Sequence, residues 1–216
     1  MFEAGNSTKE RLLDAAERLF ADEGIARTSL RAITMAAGVN VAAVHYHFGS
    51  KEALLRALSA RRVEPVNRER LARLDALERE AAGAPLAVEA ILEALLGPPL
   101  QLAAAMGAED TQLAARLVGR FYSEPEDLIE PIQRELFGEV ARRFHAALCR
   151  ALPHLPPLVV AWRLQAAVAV LTHVLTGRHR FELIPGVRLG TEPAVALRQL
   201  LPFCAAGFRA PAEEGA

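Results

Sequence analysis

The chain is 216 residues long, 52% hydrophobic and 24% charged, with a formal net charge of -1. That is enough apolar material for one sizeable core or two small ones. The even charge balance excludes a protein that is basic throughout, so any nucleic-acid contact has to be local. Two cysteines, Cys149 and Cys204, stand in no ligand or redox spacing and read as plain thiols of a reducing cytoplasm. The opening MFEAGNSTKERLL has no basic segment followed by an apolar run, so no leader peptide is expected and the expected location is cytoplasmic. The most apolar stretch, Leu158 to Leu175, is broken by Arg163, Gln165 and His173 and is expected as a buried helix, not a membrane span.

In chain order the pattern is helical throughout. Ser7, with Glu10 three residues on, offers a capping box for a first helix whose Leu12, Leu13, Ala16, Leu19 and Phe20 share one face. Gly24 ends it. Thr28 or Ser29 caps a short second helix carrying Leu30, Ile33 and Ala37; Gly38 makes a turn, and Asn40 caps a third through about Phe48. After Gly49, Ser50 caps a fourth helix from Lys51 to about Ala82, which Pro65 is expected to kink or split. Further helices are expected from Pro85 to Gly107, with Gly97-Pro98-Pro99 as an interruption, from Asp110 to Tyr122, and from Pro125 to Leu152. The last two cover 158–177 and 191–208, joined by the loop GRHRFELIPGVRLG. Alternating β-branched runs are lacking, so the fold class is all-α with about nine helices.

Ser29–Ala36, the turn Ala37-Gly38-Val39-Asn40, and Val41–Phe48 form a helix-turn-helix. Val39, Val44 and Phe48 are expected to face the first two helices, leaving Val41, Ala42, Ala43, His45, Tyr46 and His47 outside. Small residues at a helix start let the backbone approach a DNA major groove, and valine or alanine methyls can meet a thymine methyl. Tyrosine and histidine reach phosphates or base edges, and Lys51 can add a phosphate contact. Lysine occurs only at Lys9 and Lys51, and residues 1–62 carry nine basic against seven acidic side chains, a weakly basic balance. His45 and His47 point about 200° apart on a helix, so they are not a metal pair.

The segments AAERLFADEG, TSLRAIT and AGVNVAAVHYHFGSKEALL, within Thr8–Leu55, resemble the N-terminal domain of TetR-type (TetR/AcrR) one-component transcriptional regulators. The form NVAAVHYHFGSKEAL is similar to a subgroup whose members respond to fatty acids. The resemblance implies a helix-turn-helix DNA-binding domain over 1–50, a ligand-binding and dimerisation domain over 51–210, and a frayed tail at 211–216. It implies DNA contacts from Arg31, Asn40 and the recognition-helix start Val41-Ala42-Ala43, a base-reading role for Tyr46, and phosphate contacts from His47 and Lys51. His45 stands where tyrosine is usual, so the resemblance implies a different contact from it, and Thr34 stands where alanine is usual.

The resemblance further implies a repressor that binds a pseudo-palindromic operator as a homodimer, through helices near 158–177 and 191–208, and releases it when a small hydrophobic effector binds. A fatty acid or acyl-CoA fits the subgroup. Candidate pocket residues are Leu102, Met106, Arg120, Phe121, Phe137, Trp162 and His173, although any single one of them is more often plain core. Arg116 and Arg163 are further candidates to anchor an anionic head group. No cofactor or metal is expected, and no nucleophile–base pair or phosphate loop supports an enzyme. A DNA-binding regulator without small-molecule control is the alternative.

Overall fold

The computed structural model describes residues 7–121, 124–176 and 192–212. Nine helices occupy them: α1 (Thr8–Glu23), α2 (Leu30–Ala37), α3 (Val41–His47), α4 (Lys51–Ala81), α5 (Val88–Ala105), α6 (Ala108–Phe121), α7 (Glu126–Ala151), α8 (Pro157–Leu175) and α9 (Pro193–Arg209). The expected loop at 177–190 lies outside the described residues.

The chain divides into two packing units, neither contiguous in sequence. The first is residues 1–64 with 108–136, and the second is 65–107 with 137–216. The resemblance implies a boundary at residue 50; by packing, α6 and the start of α7 belong with the N-terminal helices. Their Leu117, Ile129 and Ile132 complete the core made by Leu12, Phe20, Ile25, Ile33, Val44 and Leu54. Apolar burial of this kind stabilises by about 25 cal/mol per Å². A second cohesive element is ionic. Glu17, 1% exposed, accepts from both Arg61 (2.7 Å) and Arg62 (2.6 Å), and Arg61 also reaches Glu10 and Asp14. A buried carboxylate is tolerated only with such partners.

In the second unit, α5 packs on α9 and α8, and the latter parts of α4 and α7 add Leu74, Phe144 and Leu148 to the core. Pro65 does not split α4, and the expected interruption of α5 does not occur: α5 runs through Pro98 and Pro99. Prolines at 98 and 99 have no N–H, so the carbonyls of Ala94 and Leu95 lose their usual donors four residues on. Arg70 supplies one replacement, its Nε donating to the Leu95 carbonyl at 2.8 Å.

The expectation that 158–175 is buried needs correction. α8 buries Val160, Leu164, Ala167 and Leu171, while Leu158, Trp162, Ala166, Ala169 and His173 lie outside. Its apolar content exceeds what one face can hide within a single chain. α5 and α8 are long and apolar enough to cross a membrane by length and composition alone, a test that core helices also pass. Cys149 and Cys204 are free thiols, and burial pushes both above the ordinary range.

Candidate nucleic-acid interface

The interface is assembled by capping chemistry that is local in sequence. Ser29 accepts from the Ala32 N–H at 3.1 Å and starts α2. Gly38 ends it in the left-handed region, φ +63, where a side chain would be strained and where a Cβ would come 2.9 Å from Arg11 Nη2. That Arg11 guanidinium donates to the carbonyls of Ala37 and Gly38, so α1 holds the turn from behind. Asn40 then caps α3, its Oδ1 accepting from the Ala42 N–H at 3.0 Å.

On α3 only Val44 is fully buried. Val39 and Phe48 pack partly against the same core, as the spacing predicts. So does Ala43, which corrects its expected place on the outer side. At one hundred degrees per residue Ala43 lies 100° round the helix from Val44, at the edge of the buried stripe on the side away from Phe48. Val41, Ala42, His45, Tyr46 and His47 are exposed, with Tyr46 at 84%, an unusual exposure for a large ring. Tyr46 and His47 meet edge to face, centroids 5.0 Å apart. His45 lies over the helix end with Nδ1 donating to the Gly49 carbonyl at 3.1 Å, which leaves Nε2 facing outward. Arg31 is exposed on α2, near the equally solvent-facing Met35, a residue that motif spacing does not single out. Thr34 is buried and its hydroxyl donates back to the Arg31 carbonyl, a local role.

Lys51 is less free than expected. Its Nζ donates to the Ala26 carbonyl at 3.1 Å, and burial pulls the ammonium below the ordinary lysine range, opposed by Glu52 and Glu124. Two further N–H bonds of the ammonium are left for an outside acceptor. The Ala26 loop is also held by Glu124, whose two carboxylate oxygens accept from Ile25 N–H (2.6 Å) and Ala26 N–H (2.9 Å). A Cβ on Gly24 would lie 2.9 Å from that carboxylate, and its φ of +96 excludes most side chains anyway.

Six of the seven pocket candidates have described side chains, and each is placed within its own packing unit. Arg120 donates to the carbonyls of Ala21 and Asp22 at the end of α1, in the first unit. Leu102, Phe137 and His173 are exposed, and Trp162 is 71% exposed, so it lines no interior of a single chain. Met106 is half-buried beyond the end of α5. The Phe121 side chain lies outside what is described. Of the other arginines considered, Arg116 pairs with Asp22, and Arg163 donates to the carbonyls of Phe208, Ala210 and Pro211 around the end of α9.

Two family models match the chain. One, "Bacterial regulatory proteins, tetR family", matches residues 12–58, the helices just described. The other, "Tetracyclin repressor-like, C-terminal domain", matches residues 93–207, more than half of the chain. The chain belongs to the TetR family. Its HTH domain is similar to that of the transcriptional regulator TtgR of Pseudomonas putida, 41% identical over 56 residues. That match covers 26% of this chain and 27% of TtgR, so the chain aligns with about a quarter of its curated relatives' length. Among solved structures, Mycobacterium smegmatis AmtR is similar at TM-score 0.61 and 22% identity, over 94% of this chain and 88% of that one. NalD, the secondary repressor of the MexAB-OprM multidrug efflux pump in Pseudomonas aeruginosa, is similar at TM-score 0.60 and 21% identity, over 93% and 95%. Both likenesses concern the TetR fold.

Proposed function

We propose that this TetR-family protein is a ligand-responsive transcriptional regulator, acting in the cytoplasm as a repressor and binding a pseudo-palindromic operator as a homodimer. The observation that carries the reading is the outer face of α3. A short helix capped by Asn40 presents Val41, Ala42, His45, Tyr46 and His47 to the outside, with Arg31 and Lys51 on flanking elements. Two such helices fit successive major grooves, centred about one helical turn apart, roughly 34 Å. Val41 and Ala42 face bases, Tyr46 reads a base edge, and Arg31, His47 and Lys51 take phosphates. Asn40 keeps its amide N–H donors for the same surface. Ala43 contributes by its small size.

The dimer uses α8 and α9. Leu158, Trp162, Ala166 and Ala169 on α8, with Pro202, Phe203, Ala206 and Gly207 on α9, are exposed apolar or small residues at helical spacing. Exposed apolar surface of that extent supports a covering partner, and a symmetric four-helix contact between two copies covers both stripes at once. The second unit binds a small, apolar effector; the recognition-helix resemblance favours a fatty acid or acyl-CoA. The effector releases DNA through its higher affinity for a dimer whose reading helices are wrongly spaced.

Fluorescence anisotropy on DNA from upstream of the protein's own gene, against scrambled competitor and across salt, tests this. Tyr46→Ala is expected to relax sequence preference, whereas Lys51→Ala weakens all DNA and lowers the salt slope by about one. Failure to select any fragment from a genome-wide pool overturns the reading. Specific binding that no small molecule weakens favours a regulator without effector control.

A further inference from the structure

Arginine is almost never fully buried unless a carboxylate accompanies it. Arg70, on α4 in the second unit, is 7% exposed and breaks that pattern. Its two polar partners among the described residues are neutral: the Leu95 carbonyl, bonded by Nε at 2.8 Å, and Asn67 Oδ1, bonded by Nη1 at 3.1 Å. Its remaining three N–H groups, including both on Nη2, have no acceptor among the described residues. Arg73, one turn on, is different: it is neutralised by Glu69 at 2.7 Å and bound to Gln101 at 2.6 Å. Two acidic residues farther along α4, Asp75 and Glu78, are engaged by Arg143 and Arg150.

The orphaned Leu95 carbonyl explains one hydrogen bond of Arg70. It does not explain the charge. A neutral donor such as glutamine or asparagine would serve a carbonyl without burying a cation. Desolvation pulls the guanidinium down to about 10, which still leaves it charged at neutral pH, with no carboxylate bonded to it among the described residues.

We propose that Arg70 is the anchor for the head group of the effector, and that the effector is an apolar molecule bearing a single carboxylate. The inference rests on the ligand-responsive reading above and narrows it. The planar fork of guanidinium matches a carboxylate in two parallel hydrogen bonds. One buried cation balances one negative charge, so a phosphate dianion would leave charge uncompensated in an aliphatic surrounding. Arg116, Arg120 and Arg163, the anchors suggested by sequence, are each committed to a partner near a helix end, whereas among the described arginines Arg70 is the buried one and has N–H donors to spare.

Isothermal titration calorimetry on the full-length protein tests this with hexanoate, octanoate, decanoate and dodecanoate, each beside the alcohol of equal chain length. At least one acid is expected to bind about tenfold more tightly than its alcohol, the difference a charge-assisted bidentate contact makes. Arg70→Met should bring the acid down to the alcohol's affinity and leave the alcohol unchanged. Arg70→Lys should keep part of the preference, and covers the case in which Arg70→Met fails to fold. The proposal is overturned if acids and alcohols bind alike, if neither series binds, or if Arg70→Met retains the preference. The regulator reading fails separately, by the absence of DNA selection in the same preparation.

Discussion

The account of Arg70 and Pro99 predicts a specific non-additivity. Pro99 lacks the N–H that would normally serve the Leu95 carbonyl, and Arg70 Nε serves it instead at 2.8 Å. Replacing Arg70 by Met therefore has two opposed effects. It leaves a buried carbonyl without a donor, which costs about 1–3 kcal/mol. It also removes a cation that burial holds near a pKa of about 10. At about 1.4 kcal/mol per pH unit, holding it there disfavours the folded state by about 3 kcal/mol. The folded value is lowered, so this penalty is present in full at neutral pH and is relieved only as pH rises past about 10. The two effects nearly cancel, and Arg70→Met alone should change stability little.

In a Pro99→Ala background the residue at 99 regains an N–H directed at the Leu95 carbonyl. Removal of Arg70 then relieves the charge without orphaning the carbonyl. The double variant is thus expected to be more stable than the two single changes predict together, by about 2 kcal/mol. Urea unfolding of all four proteins at one fixed protein concentration measures the coupling, since dissociation would otherwise contribute. A coupling within about 0.5 kcal/mol of zero would refute the reasoning: the Leu95 carbonyl would then have a donor other than Arg70, and the arginine's burial would need another cause.

Three further outcomes follow from the geometry. Glu124→Ala removes the carboxylate that accepts from Ile25 and Ala26; amide exchange at those two positions should quicken about tenfold or more while Val44 is unaffected, and a uniform change would point to global destabilisation instead. Asn40→Ala removes the α3 cap and should cost about 1 kcal/mol in thermal unfolding, while Asn40→Asp should keep that stability yet weaken binding to every DNA tested. Trp162→Glu combined with Phe203→Glu should give a monomer by sedimentation, with helical content retained; a dimer that persists would move the interface away from α8 and α9.

The parts of the fold legible in sequence are those decided within a few residues. Ser29, Gly38 and Asn40 bound α2 and α3 through hydrogen bonds spanning two or three positions, so the residues themselves locate the reading surface. The errors arise where the deciding partner is remote. Pro98-Pro99 reads as a break because Arg70, which serves the freed carbonyl, is more than twenty residues away. Arg120 is bonded to the end of α1, nearly a hundred residues earlier, which no local spacing announces. Trp162 looks like core because an aromatic on an apolar helix usually is; its exposure reflects a second face that a single sequence cannot separate from the first. Arg70 itself carries no signal in sequence, being one of several arginines on a long polar-looking helix.

The chain passes between the two units at three points, after Glu64, after Gly107 and after Leu136. The first is in α4, eleven residues before which Ala53 is capped by Ser50 beside Lys51. The other two bound α6 and the start of α7, the segment that supplies Arg120 and Glu124 to the α1–α2 connection. All three routes therefore end on the same short loop: Lys51 takes the Ala26 carbonyl, Glu124 the N–H groups of Ile25 and Ala26, and Arg120 the last carbonyls of α1. That loop leads directly into the Ser29 cap of α2. A displacement of α6 or α7 that kept these bonds would carry the end of α1 with it; one that broke them would unpair charged groups and backbone together. The start of the helix-turn-helix is thus tied to α6 and the start of α7 by charge-assisted bonds, which are made or lost and do not stretch far.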